Sequence, residues 1–223
     1  MKKILDIRLI IFILAGILLL GSISALTQTQ NVTVTVLPPS VAYIFHNEKN
    51  VEQEVLNVFS EMNLDVDLIQ DKNIRATNFS NYSFIFVGNE KISKLKYLPK
   101  TTHYIYMNSR YGRESGFLKL WKIAKIASNS PLVVLEDGRK IIVYETADFK
   151  LGGVNIPYYY LPEKYKAKGI TSIATTDVGY KKKPGTVIGY NGGNCFFGIT
   201  EAKFWTKDTE KLFKDCAEFV LGY

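Results

Sequence analysis

The 223-residue sequence predicts an α/β domain, a mostly parallel sheet covered on both sides, with an antiparallel β elaboration in the second half. Three observations carry this. In the first half, short apolar runs alternate with amphipathic segments of helical period, the pattern of βαβ units. In the second half, closely spaced β runs are joined by Asp-Gly and Gly-Gly turn signals. The chain then closes with a capped amphipathic helix. Hydrophobic residues make up 47% and charged residues 22% of the chain, which is enough apolar material for one core and excludes a disordered polymer.

Residues 1–25 stand apart. Lys2, Lys3 and Arg8 surround Asp6, Leu9 to Leu20 carries no charge, and Gly21-Ser22-Ile23-Ser24-Ala25 is small and uncharged. That order is the order of a secretory signal. The apolar core is shorter than the ~20 residues needed to span a bilayer, and extension through Leu26 makes a marginal span. The segment therefore reads as a signal peptide or membrane anchor, and as the only membrane contact. Residues 26–40 read as a stalk, with polar Thr27 to Gln30, alternating Val32, Val34 and Val36, and a Pro38-Pro39 boundary. The folded domain is expected over 41–223.

Within it, Val41–Phe45 reads as a buried strand. Val51, Val55, Val58, Phe59 and Met62 mark one face of a helix over 48–62. Strands are expected at 64–69, 84–88 and 103–107. A helix over 114–128 would bury Phe117, Leu120, Trp121, Ala124 and Ala127. Runs 132–135 and 141–144 flank Asp137-Gly138 as a hairpin, and further β runs fall near 156–161, 170–175, 186–190 and 195–199. Asn191-Gly192-Gly193-Asn194 turns the last pair. The final helix, over 207–221, has Thr206 as N-cap, Asp208 in its first turn and Gly222 just past its end.

The formal charge is +7, and the excess is spread over many lysines. Lys181-Lys182-Lys183 precedes a Pro184-Gly185 turn and reads as a solvated loop. Nucleic-acid recognition wants a denser basic stripe and an intracellular address, so no nucleic-acid partner is expected. Asn31, Asn78 and Asn81 open N-x-[ST] sequons and are candidate glycosylation sites in an exported chain. Cys195 and Cys216 can pair in an oxidising compartment. A sheet-to-helix separation near ~10 Å would exceed the ~7 Å Cα limit for a bridge, and both also fit as buried apolar residues.

The pattern Asn194-Cys195-Phe196-Phe197-Gly198, Phe204-Trp205-Thr206-Lys207-Asp208-Thr209 and Leu212-Phe213 resembles the closing strand and helix of class I glutamine amidotransferase-like domains. It looks most like the trehalose-utilisation (ThuA-like) branch and related archaeal surface proteins. The opening strands and helix fit as well, so the resemblance covers about 41–221. It implies a flavodoxin-like three-layer sandwich. The amidotransferase chemistry does not transfer. The family's nucleophilic cysteine belongs in a Gly-x-Cys-x-Gly turn, whereas the matching segment here, Tyr106 to Arg113, has no cysteine, and no histidine follows it.

Ligands of open α/β sheets gather at the carboxyl ends of the strands. There the sequence offers His46-Asn47, Asn89-Glu90, Asn108-Ser109-Arg110 and Glu145. Ser109 as nucleophile, His46 as base and Glu90 as orienter would form a hydrolase constellation. Asn47, Asn108 and Arg110 would bind a ligand at the same rim, although all of these are also ordinary turn formers. Tyr158 and Tyr160, within Tyr158-Tyr159-Tyr160, offer an aromatic patch for a sugar or a protein, or pack into the core. His103 opens its strand and reads as structural. Asp65, Asp67 and Asp71 offer oxygens to calcium, but alternating acids usually mark the exposed face of a strand. Two isolated histidines and two cysteines lack metal-ligand spacing, and no phosphate-cradling loop occurs, so neither metal nor cofactor is expected. The sequence thus points to an extracytoplasmic, non-catalytic binding or interaction module whose partner is a cell-surface protein or glycan. The alternatives are a divergent hydrolase at the Ser109/His46 rim and a subunit of a cell-envelope assembly.

Overall fold

The structure is a computed structural model, and it describes residues 38–107, 115–119, 125–127, 131–145, 150–151, 154–155, 158–176 and 184–222. Residues 38–223 cluster as one compact unit. Strand β1 (Ser40–Phe45) leads through a 3-10 turn at Glu48–Asn50 into helix α1 (Gln53–Glu61). Strands β2 (Asp65–Gln70), β3 (Phe84–Val87) and β4 (His103–Tyr106) follow. The second half supplies β5 (Lys125–Ala127), β6 (Leu132–Leu135), β7 (Lys140–Ile142), β8 (Lys150–Leu151), β9 (Val154–Asn155), β10 (Tyr158–Pro162), β11 (Thr171–Thr176), β12 (Gly185–Asn191) and β13 (Asn194–Phe197). Helix α2 (Lys207–Leu221) closes the chain. Its ends are as predicted: Thr206 Oγ1 accepts the Thr209 N–H at 3.2 Å, and Gly222 takes the left-handed φ of 84°.

The main sheet has the order β2-β1-β3-β4-β13-β12-β11-β6-β7, with β10 and β5 attached alongside β12. The first five strands of that order pair in parallel. Every pairing beyond β13 is antiparallel. The sheet is therefore mixed, not mostly parallel. The connections decide this: tight hairpins at Asp137-Gly138 and Gly192-Gly193 can join only antiparallel neighbours, while parallel partners need a crossover.

Both faces of the sheet are buried. On one, Tyr43, Phe84, Phe86, Ile105 and Phe197 pack under Val55, Val58 and Phe59 of α1 and Leu212, Phe213 and Ala217 of α2. On the other, Ala42, Ile44, Ile85, Tyr104, Tyr106 and Phe196 are covered by Ile74, Phe79, Ile92, Leu98, Phe117 and Leu118 from the connections. The helix predicted over 114–128 does not form in its described parts. Gly116 sits at φ 78°, and the Phe117 carbonyl and Lys119 amide pair with Ala167 and Tyr165. Residues 125–127 form β5, antiparallel to β10. Backbone pairing across the fold has overridden the helical period.

Helix α2 approaches the sheet more closely than average packing implies. The buried residues at the contact, Cys195, Cys216 and Ala217, are small, and the Cα atoms of the two cysteines lie 6.0 Å apart, joined by a disulfide. Of the two readings the sequence leaves open, a bridge or two buried apolar thiols, the structure has the bridge, and local closeness overcomes the average sheet-to-helix spacing.

Candidate functional site at the carboxyl ends of the parallel strands

In the strand order β2-β1-β3-β4, the connection leaving β1 runs to one side and the one leaving β3 to the other. The crevice between the carboxyl ends of β1 and β3 is thus the topological switch point, where open α/β sheets take ligands. Glu90 bridges it: its Oε2 accepts the backbone N–H groups of both His46 and Asn47, each at 2.9 Å. The Glu90 expected as a side-chain orienter for His46 is therefore bonded to the backbone of the β1 loop.

The partner of the His46 ring is Asp71, which follows β2. His46 Nδ1 lies 2.9 Å from Asp71 Oδ2, with 60% of the histidine side chain exposed and 5% of the aspartate. Burial alone would raise the Asp71 carboxyl. The Ser93 amide at 3.0 Å, the Ser93 hydroxyl at 2.7 Å and the His46 ring outweigh it and hold the group below its ordinary value. A buried carboxylate holding an exposed imidazole by Nδ1 is the base-and-orienter half of a hydrolytic constellation. Asn108, Ser109 and Arg110 lie outside the described residues, as does Asn31. Asn47 caps the 3-10 turn, its side chain accepting the Lys49 N–H at 3.2 Å.

Beside the switch point an open cleft of about 520 Å³ is lined by Lys49, Glu52, Asn89, Glu201 and Lys203, among others. Glu52 Oε2 accepts the Ala202 N–H at 2.7 Å, and the Glu52 N–H donates to the Tyr43 hydroxyl at 3.1 Å. Burial pushes the Glu52 carboxyl up to about 7; the Ala202 amide opposes this, and Glu201 and Glu54 add to it. Glu201 takes a left-handed backbone at φ 62°, ψ 57°, which costs a non-glycine residue about 1–2 kcal/mol and marks strain at the rim. Glu52 and Asp71 were not singled out from sequence as rim residues. Asp71 carried one signal, its place directly after a strand. Glu52 carried none, because its amide partner is 150 residues away.

The remaining expectations sort by burial. Tyr158 and Tyr160, offered as a binding patch, are buried. The Tyr158 hydroxyl lies 2.9 Å from the Leu132 carbonyl and 2.8 Å from Thr176 Oγ1. The strand pleat turns both rings inward, so they pack rather than bind. Asn78 and Asn81 are exposed, and the Asn78 side chain accepts the Ser80 N–H at 3.1 Å. His103 holds the β12–β13 turn through the Gly193 carbonyl, 3.0 Å from Nδ1. Among the described residues, no group of three His, Cys, Asp or Glu is set to hold a metal, and no helix is long and apolar enough to cross a membrane.

No protein-family model matches the chain, and no curated protein matches it. Among solved structures it is similar to a GMP synthase-type protein from Thermoplasma acidophilum, with a TM-score of 0.52 and 10% identity over 85% of this chain and 97% of that one. PurLQS from Thermotoga maritima gives 0.48 and 12%, over 82% and 99%. Agd3, a carbohydrate deacetylase, gives 0.46 and 12%, over 82% of this chain and 32% of that one. The Thermoplasma likeness supports an amidotransferase-like α/β fold and carries nothing about activity.

Proposed function

We propose that the chain is an extracytoplasmic, non-catalytic binding module on an amidotransferase-like fold of the ThuA-like branch, with its ligand at the carboxyl-end rim and a cell-surface protein or glycan as its class of partner. The observation that carries this reading is the Cys195–Cys216 bond. These are the only two cysteines in the sequence, both are fully buried, and the bond leaves no thiolate for glutamine hydrolysis. The rim carboxylates support it further. Glu52, Asp71 and Glu90 each accept backbone N–H groups of neighbouring loops, so they hold the rim loops in place. The N-terminal signal pattern and a disulfide suit an oxidising address. In this reading residues 1–25 are the signal or anchor and the residues from 26 up to the compact unit at Pro38 are the stalk.

A second reading is favoured by one contact, the His46–Asp71 pair, which has the geometry of a general base and its orienter. One screen separates the two. The full-length chain is assayed for glutaminase, esterase and amidase activity. The binding reading expects no turnover above background. Turnover that disappears in both His46→Ala and Ser109→Ala would replace it with a hydrolase. Binding itself is tested by recovering partners from envelope extracts with the wild type and with an Asn89→Ala/Lys203→Ala variant. Identical recovery by the two would place binding elsewhere than the rim.

A further inference from the structure

The positive charge that the sequence spreads over many lysines is unevenly placed in the fold. From Asp71 to Met107 stand six bases, Lys72, Arg75, Lys91, Lys94, Lys96 and Lys100, against two acids, Asp71 and Glu90. The rest of the chain beyond residue 25 carries nineteen bases and eighteen acids. Most of the excess therefore belongs to the connections before and after β3. These connections pack on each other. Lys94 Nζ donates to the Lys72 carbonyl at 3.2 Å. The Arg75 guanidinium bonds the Tyr97 hydroxyl and lies 3.9 Å from the ring centroid, and Lys96 Nζ lies 5.1 Å from the same ring. Glu90 and Asp71 offset them only in part, and both face the rim: Glu90 accepts the His46 and Asn47 amides and Asp71 the Ser93 amide.

Next to this cluster, on the sheet face away from the two helices, a groove of about 710 Å³ opens. Lys96 and Lys100 line it together with Asn191 and Asn194 of the β12–β13 hairpin. The stacked rings of Tyr104 and Tyr106, with centroids 5.2 Å apart, give it an apolar wall. Both amides are fixed: Asn194 Oδ1 accepts the Tyr104 N–H at 2.9 Å, and Asn191 Nδ2 donates to the Gly116 carbonyl at 3.0 Å. Among the described residues no acidic side chain lines the groove.

We propose that this groove is a second binding site, separate from the rim, and that it takes an acidic oligosaccharide of the uronate class. The ammonium groups match sugar carboxylates. The anchored amides match ring hydroxyls, and the tyrosine wall matches the apolar edge of a pyranose ring. A concave groove with amides in its lining favours a sugar chain over a flat anionic membrane. A phosphate polymer carries acceptors only, so it would use the ammonium groups and the amide N–H and leave the amide carbonyl oxygen of Asn191 and the tyrosine wall without partners.

The test is titration of the full-length chain with tetragalacturonate, an uncharged galactose tetramer, a polyphosphate of equal charge, a short oligonucleotide and anionic lipid vesicles, at low and at physiological salt. The expected result is saturable binding of the uronate, about tenfold or more tighter than any of the others. It falls at least about tenfold in Lys96→Ala/Lys100→Ala and is unchanged in the rim variant Asn89→Ala. Asn191→Ala weakens uronate binding more than polyphosphate binding, because the sugar hydroxyls use both the amide N–H and its carbonyl oxygen. No uronate binding, a preference for polyphosphate, oligonucleotide or vesicle, or indifference to the double lysine change overturns the proposal. Equal losses of both anions in Asn191→Ala overturn it as well. Loss of uronate binding in Asn89→Ala, with the lysine variant normal, would assign the sugar to the rim instead.

Discussion

Cys216 on α2 lies 6.0 Å, Cα to Cα, from Cys195 on β13, and the bond between them spans a sequence separation of 21. It ties the last helix to the fifth parallel strand. Cross-linking a loop of that size removes unfolded-state entropy worth about 3 kcal/mol. The Cys195→Ala/Cys216→Ala variant is expected to lose about that much unfolding free energy, read as a lower urea midpoint. Thiols that react with an alkylating agent in the native protein would contradict the bond.

Glu52 makes stability depend on pH with a definite sign. Its carboxyl is raised from 4.5 to about 7 in the folded chain, so the native state holds a proton that the unfolded state releases. Stability therefore falls as pH rises through that window, and the whole penalty is present above it. Glu52→Gln keeps an oxygen for the Ala202 N–H and removes the charge. The variant should match the wild type below pH 4.5 and exceed it at pH 8 by on the order of 2 kcal/mol. Denaturation midpoints of the two proteins that run parallel across this range would reject the assignment.

The His46–Asp71 pair should respond asymmetrically to mutation. Asp71 is buried and accepts from the Ser93 amide and hydroxyl as well as pairing with the ring. Asp71→Ala strands those donors and should cost about 2 kcal/mol at neutral pH. His46 is mostly exposed, so His46→Ala should cost less than about 1 kcal/mol. Because the folded Asp71 carboxyl lies below 3.8, its contribution is present above that pH and fades as pH falls through the lower folded value. Unfolding curves of the two variants giving equal losses would refute the assignment of the anchoring role to Asp71.

Local signals made much of this fold legible. Thr206 and Gly222 announce α2 because capping is a local interaction, and Gly192-Gly193 announces its hairpin because the turn needs positive φ. The segment around Gly116 was illegible for the opposite reason. Its apolar spacing fits a helix, and only residues 165–167, distant in sequence, divert its backbone into pairing. The rim divides the same way. His46, Asn47 and Glu90 are visible as residues following strands. Their partners, by contrast, are set by topology: the order β2-β1-β3 brings Asp71 to the His46 ring and turns Glu90 toward two amides. An average layer spacing conceals the disulfide, because it hides what three small residues allow locally.

Gly198 directly follows β13, at the point where β10 comes in alongside β12. Its N–H donates to the Val187 carbonyl at 2.8 Å, and its carbonyl accepts the Tyr159 N–H at 2.8 Å. A methyl group on Gly198 would collide with the Tyr159 carbonyl oxygen and press on the Val187 carbonyl. Both obstacles are backbone, held by strand pairing, so neither can swing aside as a side chain could. Gly198→Ala should therefore destabilise by about 3 kcal/mol or more, well beyond the usual cost of a surface change. It should also loosen Tyr158 and Tyr160, whose strand is fixed there, measurable as faster amide exchange across β10 in the variant. Full protection of β10 together with a wild-type denaturation midpoint would mean that the two strands do not approach each other this closely.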